Sequence, residues 1–410
     1  MSYPKSLQYL CKSLSGYSTN CYKLVPSVSQ ATSVPNGGII SFQLPENSIV
    51  NLDTLRWHFT VNMAGANSYP SKHVETLATG GRVSVDINGI TIDGGVQNTS
   101  LLFRRLADHL LDGSKEVYRS VLALGSGAVA PTSSNTYATT SNCVYNWTGF
   151  LGTVQPRCVS TGILGSVRVT ITLPGTEVLQ SNGTAITTNG FTLSNNYFAV
   201  DCISINDGIY NEMLRERLAS GVPIEMPYQR WYQTSPGQVS SLAQTTMATI
   251  STGSLDMLLG MYQLAGNNPT GNGADSTTLG SAWFTSGSSN LTSSQFFING
   301  VAYPQFLASP PDCFAQTACS LNMAQETVGG GDKNMNSLAN WQNKFYSHIV
   351  RLNHPHSSDD RIKSGIDLRG TNAQVLWTTN GTDSNVIPFL FLGMTSVLEV
   401  GSFKQLNVIQ

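Results

Sequence analysis

An internal repeat spans most of this chain and limits what it can fold into. Three short patterns occur twice, in the same order, and the offsets between the copies are nearly constant (255 − 52 = 203, 299 − 88 = 211 and 365 − 162 = 203). A shared order with a nearly constant offset predicts two copies of one structural unit in tandem. The paired patterns are Leu52–Leu55 with Leu255–Leu258, Ile87–Gly89 with Ile298–Gly300, and Thr161–Ile163 with Ser364–Ile366.

The length agrees with two units, because 410 residues exceed the roughly 250–300 at which single cores stop growing. We place an N-terminal amphipathic arm at residues 1–24, a first domain at 25–221 and a second domain at 222–410. The first domain ends in a helical connector, Ile209–Gly221, where Gly221 suits a left-handed C-terminal cap. Two prolines then lead the chain out in an extended conformation.

Alternating apolar residues and Asn-Gly turns make both domains rich in β-strands. Asn88-Gly89, between two alternating apolar runs, predicts a hairpin. Residues 125–145 are rich in small polar residues and predict an exposed loop. Many strands with few helices indicate an all-β fold of two sandwiches with short connecting helices. The other predicted strands are Ile39–Leu44, Ile49–Val61, Gly165–Leu173 and Tyr197–Ile205, with a helix at Thr99–Asp112.

The second domain follows the same plan with its own insertion. A helix predicted at Asp312–Leu321 follows the second Asn-Gly turn, as Thr99–Asp112 follows the first. Residues 264–294 form a long polar insertion, which sandwiches tolerate outside the core. Near the C-terminus we predict a strand pair, Ile387–Leu392 with Ser396–Val400, and then a last strand at Leu406–Ile409.

The first residues predict a short amphipathic helix. Tyr3, Leu7, Leu10 and Leu14 fall on one helical face, whereas Lys5 lies elsewhere. Such a short helix is marginal alone in water. We therefore expect it to lie on its own domain, on a neighbouring subunit or on a lipid surface.

The charge content excludes several classes of function. Charged residues make up only 11% of the chain and the net charge is −2, which argues against an electrostatic nucleic-acid binder. No apolar stretch is long enough to span a membrane as a helix. Seven scattered cysteines without C-x-x-C spacing indicate isolated thiols rather than disulfides or a zinc site.

Taken together, these stretches resemble the double jelly-roll major capsid proteins of tailless icosahedral double-stranded DNA viruses. That family includes adenovirus-like, virophage and Polinton-like lineages and membrane-containing phages. No single stretch is a signature, and the resemblance rests on their order along nearly the whole chain. The stretches are Ile40–Pro45, Leu52–Val61, Val83–Ile92, Tyr197–Tyr228, Phe296–Pro304, Ser364–Asn372 and Thr395–Gly401.

The resemblance implies a fold and an assembly. Each half would be an eight-stranded jelly roll, and three copies would form a homotrimeric, pseudo-hexagonal capsomer that tiles an icosahedral shell. The implied partners are other copies, neighbouring capsomers, penton and minor capsid proteins, and an internal membrane reached by the N-terminal arm. The implied location is the virion, after assembly inside the host cell.

Candidate catalytic and metal sites are weak. His354, His356, Asp359 and Asp360 could together hold a divalent cation, although a solvated loop explains them better. The Gly125-Ser-Gly127 run imitates a dinucleotide fingerprint, but Pro131 follows where a helix is required. We therefore predict no catalytic, cofactor or metal site, and a protein that is not an enzyme.

Two other functions stay open at this stage. A lectin-like or virus attachment protein would use a concave aromatic platform, which Trp283 or Tyr303 could supply. A hydrolase on a sandwich scaffold would need convergent carboxylates, and Asp359-Asp360 are the main candidates. Neither explains the repeat or the helical connector.

Overall fold

The computed structural model shows a chain made mainly of antiparallel strands. Its description covers residues 17–26, 33–63, 68–69, 81–110, 139–143, 147, 149–178, 180–181, 190–205, 216–265, 285–321, 337–353, 365–370, 373–382, 385–401 and 405–410. The predicted helix at residues 1–15 lies outside these ranges. So do the glycine pattern at 125–127 and most of the connector.

The strands fall into two successive groups, one for each domain. The first domain contains β1 Tyr17–Leu24, β2 Val34–Pro35, β3 Ile39–Gln43, β4 Ile49–Met63, β5 Ser68–Tyr69, β6 Arg82–Ile87, β7 Ile90–Asp93, β8 Thr139–Cys143, β9 Cys158–Ser160, β10 Val167–Thr172, β11 Gln180–Ser181 and β12 Phe191–Ile205. The second domain contains β13 Ile224–Thr234, β14 Gln244–Ile250, β15 Leu255–Leu264, β16 Leu291–Ile298, β17 Val301–Ala308, β18 Ser347–Arg351, β19 Ala373–Gly381, β20 Val386–Val400 and β21 Leu406–Ile409.

Both domains have the same sheet topology. The first sheet runs β1-β12-β4-β8 and the second β3-β10-β6-β7, whereas β5 and β11 form a small separate pair. The third sheet runs β13-β20-β15-β18 and the fourth β14-β19-β16-β17. Each strand of the first sheet corresponds to the strand at the same position in the third sheet. The second and fourth sheets correspond in the same way. The predicted tandem repeat of eight-stranded sandwiches is confirmed.

Short helices connect the strands. They are α1 Thr99–Leu110, α2 Gly149–Thr153, α3 Thr161–Leu164, α4 Pro310–Ser320 and α5 Leu338–Asn340, with a 3-10 turn at Thr176–Val178 and a π turn at Trp341–Phe345. Ser309 caps α4 through a capping box with Asp312. Among the residues that the structure covers, no helix is long and apolar enough to cross a membrane.

The two predicted Asn-Gly hairpins share one local geometry. Asn88 and Asn299 both have a positive φ, of 51° and 49°, and so does the glycine after each. The Asn88 side-chain oxygen accepts a hydrogen bond from the backbone N–H of Ser166 at 3.0 Å. Asn299 accepts one from Gln374 at 3.1 Å. Each turn is therefore tied to the strand that follows in the same sheet.

Two sequence predictions in the first domain need correction. Tyr17–Leu24, assigned to the arm, pair with β12 as an edge strand, so that part of the arm belongs to the first sheet. Thr139–Cys143, inside the predicted loop at 125–145, pair with β4. Both strands are polar edge strands, which lack the alternation that one buried face imposes.

The predicted C-terminal strand pair is wrong, because β20 runs unbroken from Val386 to Val400. Gly393, between the two predicted strands, lies opposite Trp231 in the ladder between β20 and β13. An added Cβ at Gly393 would lie 3.3 Å from the Trp231 ring. The glycine therefore makes room for an indole within a continuous strand.

Helix α4 protects the free edge of β18. Thr317 donates a hydrogen bond to the Ser347 carbonyl at 2.8 Å and accepts one from the Ile349 N–H at 3.1 Å. Three residues later, Ser320 donates a hydrogen bond to the Ile349 carbonyl at 2.9 Å and accepts one from the Arg351 N–H at 3.1 Å. Side-chain hydroxyls thus replace a neighbouring strand, which blocks edge-to-edge association.

We expect Thr317→Val to lower the free energy of unfolding by about 2 kcal/mol, because it leaves two buried backbone groups unpaired without changing the side-chain shape. Urea unfolding would measure the loss. Thr245→Val is the matched control, since the Thr245 hydroxyl bonds Thr378 on an exposed surface. Equal effects of the two substitutions would contradict this role for Thr317.

Candidate functional site

The junction between the domains is formed by a cluster of buried residues from both halves of the chain. On β20, Leu390 and Leu392 contact the core of the second domain. Phe389 and Phe391 point the opposite way, into a cluster shared with the first domain. All four are at most 4% exposed. The third sheet is therefore buried on both faces, which explains its nearly continuous apolar sequence.

Helix α1 carries the polar contacts of the junction. Arg105, fully buried, donates to the Lys344 carbonyl at 2.7 Å and to the Ser286 hydroxyl at 2.9 Å. Trp341 donates its indole N–H to Nε2 of His109 at 3.1 Å. Hydrogen bonds from a buried charged group are stronger than neutral ones. They fix α1 of the first domain against the second domain.

A second set of contacts joins α2 to strand β13. The Tyr228 hydroxyl donates to the Ile92 carbonyl at 2.9 Å, and the Gln155 N–H donates to the Pro227 carbonyl at 2.9 Å. The Phe150 ring packs edge-on against Tyr228, with centroids 5.2 Å apart. Burial raises the pKa of Tyr228, so its hydroxyl stays protonated and remains a donor.

The buried side chain of Asp93 stabilises the contact between α2 and β13. Asp93 accepts hydrogen bonds from the backbone N–H groups of Gly95 at 3.0 Å and Phe150 at 2.9 Å. Burial raises the pKa of Asp93, while these bonds and the charges of Arg230 and Arg82 oppose the shift. Asp93 thereby positions the start of α2 at the junction.

A cavity lies at the junction of the two domains. It measures about 870 Å³ and is lined by Arg82, Arg230, Trp231 and Phe389, among others. Its lining includes the Tyr232 side chain but no Asp, Glu, His or Cys side chain. Within the described ranges, no group of three or more His, Cys, Asp or Glu side chains is placed to hold a metal ion.

One Ser–His contact resembles part of a hydrolase site, but it is sealed in the core. His348 Nδ1 lies 2.7 Å from the Ser294 hydroxyl, and His348 Nε2 lies 2.6 Å from Oε1 of Gln316. Trp377 donates to the same hydroxyl at 2.9 Å. Burial lowers the pKa of His348 to about 3, so the ring stays neutral. Ser294 and His348 are fully buried, and this chain of bonds ties the fourth sheet to β18 and α4.

The sequence-predicted site residues are not brought together in the described part of the chain. His354, His356, Asp359, Asp360 and Trp283 all lie outside it, so the cation-binding and aromatic-platform hypotheses stay untested there. Tyr303 is half-buried on β17. The cysteines with described side chains are unpaired thiols: Cys21, Cys158, Cys202, Cys313 and Cys319.

No protein-family model matches the sequence, and a search of curated proteins returned no match. Solved structures do match along nearly the whole chain. PBCV-1 VP54, in a crystal structure fitted into a cryo-EM reconstruction of the virophage Sputnik, is 13% identical with a TM-score of 0.62. That alignment covers 96% of this chain and 97% of VP54.

Two further structures agree. A quasi-atomic model of the PBCV-1 virus capsid is 14% identical, with the same coverage and a TM-score of 0.61. The cryo-EM structure of the Sputnik virophage is 10% identical, covers 96% of this chain and 88% of its own, and has a TM-score of 0.57. With the strand orders of the four large sheets, these matches decide the fold.

The chain is a double jelly roll.

Sequence reasoning missed the junction of this double jelly roll, although a signal was present. Leu255–Leu264 and Phe389–Leu392 are apolar without alternation. A strand of that kind is buried on both faces, and one sandwich core covers only one of them. The other face therefore needed a partner, which is the first jelly roll.

Proposed function

We propose that this double jelly roll is the major capsid protein of an icosahedral virus, and that its copies associate as homotrimeric, pseudo-hexagonal capsomers. The observation that carries the proposal is the junction. The two domains share one topology, and the apolar outer face of the third sheet holds them together. Each copy therefore acts as a rigid pair of similar blocks, which we call wedges. Three such pairs supply six similar wedges around one axis.

The similar structures support this proposal. One of them is a model of a virus capsid and another is the structure of a virophage, and the alignments cover nearly all of this chain. The low charge content also suits a protein that packs closely against copies of itself.

We propose a structural rather than a catalytic role. Ser294 and His348 are fully buried, and the junction cavity is lined by arginine, amide, hydroxyl and apolar side chains without a histidine, Asp or Glu side chain. Other copies of the chain are the principal partners in this role, followed by neighbouring capsomers and by penton and minor capsid proteins. The location would be the shell of the virion.

The N-terminal arm is proposed to contact an internal membrane or minor capsid proteins. Because Tyr17–Leu24 belong to the first sheet, this contact would fall on residues 1–16. Removing residues 1–15 should leave the capsomer intact and impair particle assembly. Unchanged assembly of the truncated protein, seen by electron microscopy, would contradict the role of the arm.

Light scattering after gel filtration tests the central proposal. We expect a stable species of 132 kDa (3 × 44.0 kDa) that does not depend on disulfides, because every described thiol is unpaired. Electron microscopy should then show particles with pseudo-hexagonal capsomers. A folded monomer at all concentrations would contradict the trimer, and glycan binding by that monomer would favour the two-domain binding protein.

A further inference from the structure

Helices α1 and α4 occupy equivalent places in the two domains but differ in burial. Phe103 and Phe314 lie at the same distance in sequence after their Asn-Gly turns. Phe103 is 5% exposed, because α1 is enclosed between the two domains, whereas Phe314 is 37% exposed. The outward side of α4 also carries Pro311, Ala315 and Cys319, all exposed and none charged. This is the composition of a contact surface.

Other exposed apolar side chains lie close to α4 in sequence or contact it. Phe306 and Leu307, 53% and 57% exposed, lie at the end of β17 just before the helix. Phe314 packs edge-on against Trp341 with centroids 5.3 Å apart, and Leu338, 42% exposed, lies one turn before Trp341. Single exposed apolar residues are ordinary, but neighbouring ones mark an interaction site. We call Phe306, Leu307, Phe314, Ala315 and Leu338 the helix surface.

The outer face of the first sheet is equivalent to the face of the third sheet that α1 and α2 cover. Through the repeat, His58 corresponds to Met261, and their ladder partners are Tyr197 and Phe389. Met261 and Phe389 are buried at the junction. The first sheet instead presents half-exposed His58 stacked on Tyr197, with centroids 4.5 Å apart, and Lys23 4.2 Å above the Tyr197 ring.

We propose that the helix surface of one copy docks on the outer face of the first sheet of a second copy. This contact would repeat the junction within each chain. There, α1 and α2, which follow β7 in the first domain, cover the outer face of the third sheet in the second domain. Repeating that contact once more joins the second domain of one copy to the first domain of another. This inference rests on the proposed capsomer and names its contact surfaces.

The two faces differ in a way that suits their different partners. The buried face of the third sheet is apolar because it is covered within its own chain. The outer face of the first sheet is exposed to water until a second copy binds. Its aromatic and basic side chains are compatible with both exposure to water and burial in a contact. Since the contact joins two different surfaces, it is heterologous, and a closed ring satisfies every copy.

Complementary variants test the surfaces. The first, Ala315→Glu with Cys319→Glu, places charge on the exposed side of α4. The second, His58→Glu with Thr60→Glu, places charge on the outer face of the first sheet. Both sets of side chains lie outside the cores, so thermal unfolding should show folded proteins. The control is Met247→Glu, which alters a 54% exposed residue on β14, away from both surfaces.

We expect each variant alone to be monomeric by light scattering, while Met247→Glu keeps the mass of the unaltered protein. An equimolar mixture of the two variants should give an 88 kDa dimer (2 × 44.0 kDa), because one intact pair of surfaces remains. Folded variants that keep the trimeric mass, or that fail to combine, would overturn these surfaces while leaving the capsomer proposal standing. A monomeric unaltered protein would overturn both.

Discussion

Phe391→Ala is expected to lower the free energy of unfolding by about 3–5 kcal/mol, the usual cost of removing a fully buried phenylalanine side chain. Phe391 is completely buried, yet it points away from the core of its own domain. Its ring fills the cluster shared with the first domain. The substitution therefore leaves a cavity at the junction and weakens the contact that holds the two domains as one body.

Urea unfolding would measure this loss, and hydrogen exchange would locate it. Amides of α1 and β13 should exchange faster together, because both elements pack at the junction. Met247→Ala is the control, since a side chain that is 54% exposed should change stability by about 0.5 kcal/mol or less. A loss below about 1 kcal/mol for Phe391→Ala would mean that the domains hardly depend on each other.

Gly260→Val is expected to destabilise the second domain by about 3 kcal/mol, although valine generally favours strands. Gly260 lies in the middle of β15, where an added Cβ would meet the indole ring of Trp377 well inside van der Waals distance. That ring cannot move aside easily. Its N–H bonds the Ser294 hydroxyl at 2.9 Å, and the Tyr262 ring lies 4.9 Å away.

The matched control is Gly401→Val. An added Cβ at Gly401 would find its nearest atoms at 3.8 and 3.9 Å, which is ordinary contact. We expect its effect on the free energy of unfolding, measured by urea unfolding, to stay within about 0.5 kcal/mol. Similar losses at both glycines would show that the loss of glycine backbone freedom, and not the space beside Trp377, decides the outcome.

Much of the fold could be predicted because local signals agreed with one another. The Asn-Gly turns at Asn88 and Asn299 require the left-handed backbone that they adopt, and each is followed by a helix. Gly221 also has the positive φ, 76°, expected of a C-terminal cap. The repeat added what no single pattern supplies, because it required both halves to share one topology.

The remainder depended on contacts that the sequence does not display. Tyr17–Leu24 carry no alternation because an edge strand exposes much of both faces, so they were assigned to the arm. The continuity of β20 was missed because the packing of Gly393 against Trp231 is not visible in sequence. The outer face of the first sheet was missed for a similar reason, since His58 and Tyr197 form a surface only once β4 and β12 pair.

The covalent link between the two domains changes how strongly capsomer assembly depends on protein concentration. A linker holds its two ends at a high effective concentration, so the junction at Phe391 forms in every chain at any dilution. In a ring built as proposed, half of the domain contacts would then exist before copies meet. Capsomer formation would depend on the cube of the chain concentration, whereas separate single domains would have to meet six at a time. Fusing two similar domains thus lowers the concentration at which a shell can begin to grow.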